Sequence, residues 1–119
     1  TIEYQMGVFD KQPYDIQLDE VVKLLEEKDA MGNMFNEMIE HYTTEDIDGL
    51  YNYMDGYFTN EGQMDDMLHT RNANWIPQIG SYSKDQSVFY GVGAGHLGGE
   101  KGVINLLREA GYKVSPVLD

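Results

Sequence analysis

The chain has no cysteine among its 119 residues. That excludes a disulfide framework and a thiolate metal site, and leaves the redox compartment open. Long apolar runs are also missing. None approaches the roughly 20 residues that cross a bilayer, so no membrane insertion is expected. Bases are scarce, 8 Lys and Arg against 21 Asp and Glu, for a net charge of −13. A surface this acidic repels phosphate backbones and anionic membranes, which argues against nucleic acid as a partner. The deficit is uneven. Residues 1–70 hold 17 acids and 3 bases, whereas residues 71–119 hold 4 acids and 5 bases. The acidic half reads as solvated helix faces. The chain starts at Thr1 rather than Met. It therefore reads as a fragment or a processed piece, with no legible targeting segment.

Residues 1–80 are expected to be mainly helical. Ile2 to Phe9 fits either a strand or a helix, and Lys11 to Asp15 reads as a turn around Pro13. Four helical stripes follow: Leu18, Val21, Val22, Leu24 and Leu25; Met31, Met34, Phe35, Met38 and Tyr42; Ile47, Leu50, Tyr51, Met54, Tyr57 and Phe58; Met64, Met67, Leu68, Arg71 and Trp75. Thr43 with Asp46, and Asn60 with Gln63, have capping-box spacing. Pro77 and Gly80 should kink or end the fourth helix. The methionines and tyrosines at helical spacing read mainly as core, with an adaptable peptide groove as the alternative.

Past a polar loop the period changes. Val88 to Val92 reads as a short buried strand, Gly99 to Ala110 as a helix closed by Gly111, and Tyr112 to Val117 as a second strand. Together, residues 87–119 predict a βαβ unit with parallel strands. The expected fold class is thus α/β (α+β), a helical region followed by a C-terminal βαβ unit. Two parallel strands cannot form a stable sheet alone. Residues 1–119 are accordingly expected to be one domain or a fragment of a larger α/β domain, stabilised as a fragment by homodimerisation.

The turn between the expected strand and helix, Gly93-Ala-Gly-His-Leu-Gly98, carries the chemistry. It has three readings. As G-x-G-x-x-G, it is a phosphate or dinucleotide cradle at a helix start. As Gly93-x-x-His96, it presents an imidazole for metal or acid–base work, with glycines that permit positive φ. As a packing turn, it carries a hydrogen-bonded structural histidine. His41 and His69 have no ligand spacing to His96. Arg71 lies on the same stripe as Met64, Leu68 and Trp75. A guanidinium there must be paired or face a polar cavity, and it could clamp an anion, with Asn72 beside it to bond backbone or ligand. EF-hand, Walker, nucleophile-elbow and His-Glu-x-x-His patterns are absent.

The stretch Val92-Gly-Ala-Gly-His-Leu-Gly-Gly-Glu-Lys-Gly-Val-Ile-Asn-Leu-Leu-Arg-Glu-Ala-Gly-Tyr-Lys-Val-Ser-Pro-Val117 resembles the C-terminal motif of the TraB/PrgY/GumN family, which includes the Tiki proteins. Arg71-Asn72 with Trp75 resembles that family's Arg-Asn helix. Thr1 to Gln5, then Phe9-Asp10, Pro13 and Gln17, resembles the stretch after its acidic strand. The resemblance implies a metal-dependent peptidase or hydrolase, of bacterial origin and located outside the cytoplasm. It implies a divalent metal (manganese, cobalt or zinc) and a peptide substrate. By position, Gly93 and His96 form the second Gly-x-x-His motif and Arg71 is the family arginine. His96 and Arg71 are the candidate catalytic residues, His96 is also the candidate metal ligand, and Asn72, Gly93 and Gly95 are candidate substrate contacts. The first Gly-x-x-His motif and the family glutamate have no match here and are expected before Thr1, so the fragment alone is expected neither to hold the metal nor to be active. The competing readings are a non-catalytic peptide-binding or inhibitory module and, third, a phosphate- or nucleotide-binding loop protein.

Overall fold

The computed structural model describes residues 2–57, 62 and 64–117, apart from the side chains of residues 5, 8, 9, 28, 30 and 31. The readings that used Phe58 and the Asn60–Gln63 cap lie outside the described residues. The chain divides into two compact units, Thr1–Thr44 and Glu45–Asp119.

In the first unit, α1 (Ile2–Asp10), α2 (Tyr14–Glu26) and α3 (Lys28–Thr43) follow one another. The ambiguous N-terminal segment is a helix. The turn at Lys11 is shorter than expected because Pro13, with φ fixed near −56°, serves as the N-cap of α2. Gln17 Nε2 donates to the Gln12 carbonyl across that junction. α2 packs against α3, yet α2 buries none of its residues. Leu18, Val21 and Leu25 remain exposed.

The second unit holds α4 (Ile47–Tyr57), a π-helical turn at Asp65–His69 that leads into α5 (Thr70–Ser83), a 3₁₀ turn at Ala94–His96, and α6 (Val103–Glu109). Its buried apolar residues are Leu50, Met64, Leu68 and Val103. The cap of α4 sits three residues beyond Thr43. The Gly49 amide donates to Asp46 Oδ1 at 2.9 Å, whereas Thr43 and Thr44 turn their hydroxyls back onto the Glu40 carbonyl in the last turn of α3. α5 runs through Pro77 and Gly80 without ending there.

The α/β expectation is overturned. Among the described residues there is no strand, and the molecule is helical. Val88–Val92 and Tyr112–Val117 carry no regular secondary structure, and no backbone ladder joins them among the described residues. A strand exists only through its partner. The β-branched and aromatic residues here give a local preference that nothing satisfies. Phe89 is 93% exposed, so Val88–Val92 is not the buried strand that was expected, and Val117, at 94%, has no neighbouring strand to cover it among the described residues. The helix between them is shorter than Gly99 to Ala110, because Gly98–Gly102 is used for close packing. Its end was legible. Gly111, at φ 91°, closes α6 as a C′ glycine, with the Gly111 amide on the Arg108 carbonyl and the Tyr112 amide on the Leu107 carbonyl, both at 3.0 Å. No described helix is long and apolar enough to cross a membrane.

Candidate functional site

The second unit brings Arg71, Asn72, Trp75 and His96 together. Arg71 and Asn72 lie in the first turn of α5 and Trp75 in the second, and His96 ends the 3₁₀ turn that follows Gly93. Asn72 is the centre, 1% exposed and the most deeply buried polar side chain described. Its Nδ2 donates to the Lys101 carbonyl at 2.8 Å and to the His96 carbonyl at 3.4 Å. Its Oδ1 lies 2.6 Å from His96 Nδ1.

Those contacts fix more than position. With two carbonyl oxygens on its amide nitrogen, Asn72 cannot be flipped without setting oxygen against oxygen. Oδ1 only accepts, so His96 Nδ1 must be the protonated nitrogen that donates. Nε2 then carries the lone pair, and no described residue hydrogen-bonds to it. Burial, and secondarily the nearby positive charge of Arg71, hold the His96 pKa below its ordinary value, which favours the neutral ring. The ring lies against Trp75 with centroids 4.7 Å apart and planes tilted by 46°. The Arg71 guanidinium sits 5.3 Å from the Trp75 ring centroid, and its Nη1 donates to the Met67 carbonyl at 3.3 Å. Arg71 is therefore half-buried on an aromatic face, the cation–π arrangement that suits a weakly hydrated guanidinium.

The glycines of the turn meet protein. A Cβ on Gly98 would run into the Ile47 carbonyl, and one on Gly102 into the carbonyls of Leu97 and Gly98. Gly99, at φ 79°, lies against the Tyr51 ring, and its amide donates to Asp48 Oδ1 at 3.2 Å. A Cβ on Gly95 would press on the Met54 thioether, whereas at Gly93 it would touch only His96 Cδ2 at an ordinary 3.8 Å. Gly93 has φ −62°, which any residue adopts. So the positive φ belongs to Gly99 rather than to Gly93 or Gly95, and the turn is shaped to lie on α4.

A second cluster escaped the sequence reading. The His69 ring donates through Nδ1 to Asp65 Oδ1 at 2.7 Å, and its Nε2 pairs with the Tyr51 hydroxyl at 2.9 Å. Lys101 Nζ also donates to Asp65, at 2.8 Å. The Lys101 ammonium, followed by His69, holds the Asp65 carboxyl below the usual carboxylate range. The available signal was the i,i+4 spacing of Asp65 and His69. Lys101 joins the two clusters, with its carbonyl on Asn72 and its ammonium on Asp65, so the glycine turn is held from both sides.

Among the described residues, no three His, Asp or Glu side chains are grouped to hold a metal. By themselves they do not form a complete metal site. A family model for the TraB/PrgY/gumN family matches residues 1–116, nearly the whole chain. No curated protein and no solved structure matches the chain.

Proposed function

Because this chain belongs to the TraB/PrgY/gumN family, we propose that it supplies the histidine–arginine part of a metal-dependent peptide hydrolase whose remaining groups lie outside these 119 residues. One observation carries the reading. Asn72 commits the His96 ring to donating from Nδ1, which leaves a neutral Nε2 lone pair beside a guanidinium. A ring nitrogen backed by a buried hydrogen-bond acceptor is the usual arrangement of a histidine that ligates or takes a proton.

A bound divalent ion would polarise the scissile carbonyl and activate water. The chain's own residues have narrower tasks. His96 offers Nε2 as a ligand or proton acceptor. Asn72 is a positioning residue that fixes the ring's tautomer and orientation. Arg71 places positive charge where an oxyanion or a substrate carboxylate can meet it. Such a protein would act on peptides outside the cytoplasm.

The test is peptide hydrolysis by the full-length protein with manganese, cobalt or zinc, alongside thermal melts with each ion. His96→Ala should remove both hydrolysis and any metal-induced rise in melting temperature, since a ligand that binds only the native state stabilises it. Arg71→Gln should lower kcat and leave the metal-induced rise in place. Unchanged metal response and activity in His96→Ala would end this reading and leave a non-catalytic peptide-binding module as the better account.

A further inference from the structure

The Trp75 ring that His96 lies against also lines a largely apolar cleft of about 290 Å³. We infer that this cleft is the pocket for one large apolar side chain of the peptide substrate, next to the bond presented to His96 and Arg71. The inference rests on the hydrolase reading of that site and adds its specificity.

Three observations carry it. First, the cleft and the site share a wall. Trp75 lines the cleft, and the same ring lies against His96 and under Arg71. A side chain in the cleft would therefore rest on the same indole that His96 and Arg71 contact. Second, two of the polar side chains in the lining are already engaged. Tyr90 donates its hydroxyl to the Ile79 carbonyl at 3.2 Å and pairs with Ser83 Oγ, and Gln78 Nε2 donates to the Asn74 carbonyl. What faces a ligand is mostly apolar surface, from Trp75, Ile79, Tyr82, Phe89 and Val92. Third, the volume falls at or below the bottom of the range for whole small-molecule ligands, roughly 300–1,000 Å³, which suits a single side chain. Phe89, 93% exposed at the rim, gives that side chain an apolar edge to bury.

The experiment needs no catalysis. Trp75 is the only tryptophan of this sequence, and its emission reports occupation of the cleft. The full-length protein is titrated with N-acetylphenylalaninamide and with N-acetylalaninamide, and Trp75→Phe identifies the responding signal. The phenylalanine probe should bind at least about tenfold more tightly, the scale of discrimination expected of an apolar pocket. Gly91→Leu should weaken it by a similar factor. A Cβ there meets nothing closer than Phe89 Cε1 at 3.9 Å, so the larger side chain fills the cleft without displacing backbone. Phe89→Ala, which removes only an exposed ring, should weaken it too. Discrimination that both variants abolish, in a protein without peptidase activity, would keep the pocket and dismiss the hydrolase. Peptidase activity with equal response to both probes, or binding unchanged in both variants, would overturn the pocket alone.

Discussion

Asn72 Oδ1 and His96 Nδ1 lie 2.6 Å apart, and this contact decides which nitrogen of the histidine keeps its lone pair. The asparagine is buried and spans 24 residues of sequence to make it. Its amide nitrogen is spent on the backbone carbonyls of His96 and Lys101.

Asn72→Ala leaves the Lys101 carbonyl and the His96 Nδ1–H without these partners in a part-buried setting. Unsatisfied groups of this kind cost about 1–3 kcal/mol each, so denaturant unfolding should show a loss on that order. Asn72→Asp is a different perturbation. Its carboxylate still accepts from Nδ1 but repels the two carbonyl oxygens, and it favours the imidazolium. NMR titration should show the His96 pKa higher in Asn72→Asp than in the native protein.

Stability should fall on mild acidification. The folded-state pKa of His96 lies below the ordinary value of 6.5, chiefly through burial. Between those two values the unfolded chain binds the proton more readily. The contribution is therefore fully present above pH 6.5 and is lost as pH falls through the folded pKa. Asp65, also lowered in the folded state, adds a second loss below its ordinary 3.8. Melting temperatures measured against pH should drop in the first window for the native protein and flatten there in His96→Phe.

The glycines of the turn should separate by what they touch. Gly98→Ala and Gly102→Ala drive a methyl into backbone carbonyls. Backbone gives way less readily than a side-chain tip, so each should cost about 1–3 kcal/mol or more. Gly93→Ala should stay within about 0.5 kcal/mol. Chemical denaturation of the three variants checks the order.

The helices were legible because period 3.6 is a property of the segment itself. Arg71 and Trp75 share one stripe in the sequence, and the guanidinium was expected to be paired or to face a polar cavity; its partner is the Trp75 ring, which the stripe itself does not name. The strands at Val88–Val92 and Tyr112–Val117 were misread because β-propensity says nothing about whether a second strand is available. The role of Gly98 and Gly102 was hidden for a similar reason. Their need for a missing Cβ comes from Ile47 and from the turn's own carbonyls, a relation set by tertiary packing. Asn72 was noticed only as a neighbour of Arg71. Its partners lie 24 and 29 residues away, beyond the reach of any local pattern. The membership in the TraB/PrgY/gumN family was legible because a contiguous motif, glycines with histidine and helix, carries it.

The most direct test of the account is the ring-nitrogen NMR spectrum of His96 in the native protein near neutral pH. The account predicts a protonated Nδ1 and a pyridine-like Nε2, with the pattern lost in Asn72→Ala. A proton on Nε2, or an imidazolium at that pH, would contradict it, because the lone pair on which the proposed chemistry depends would not be there.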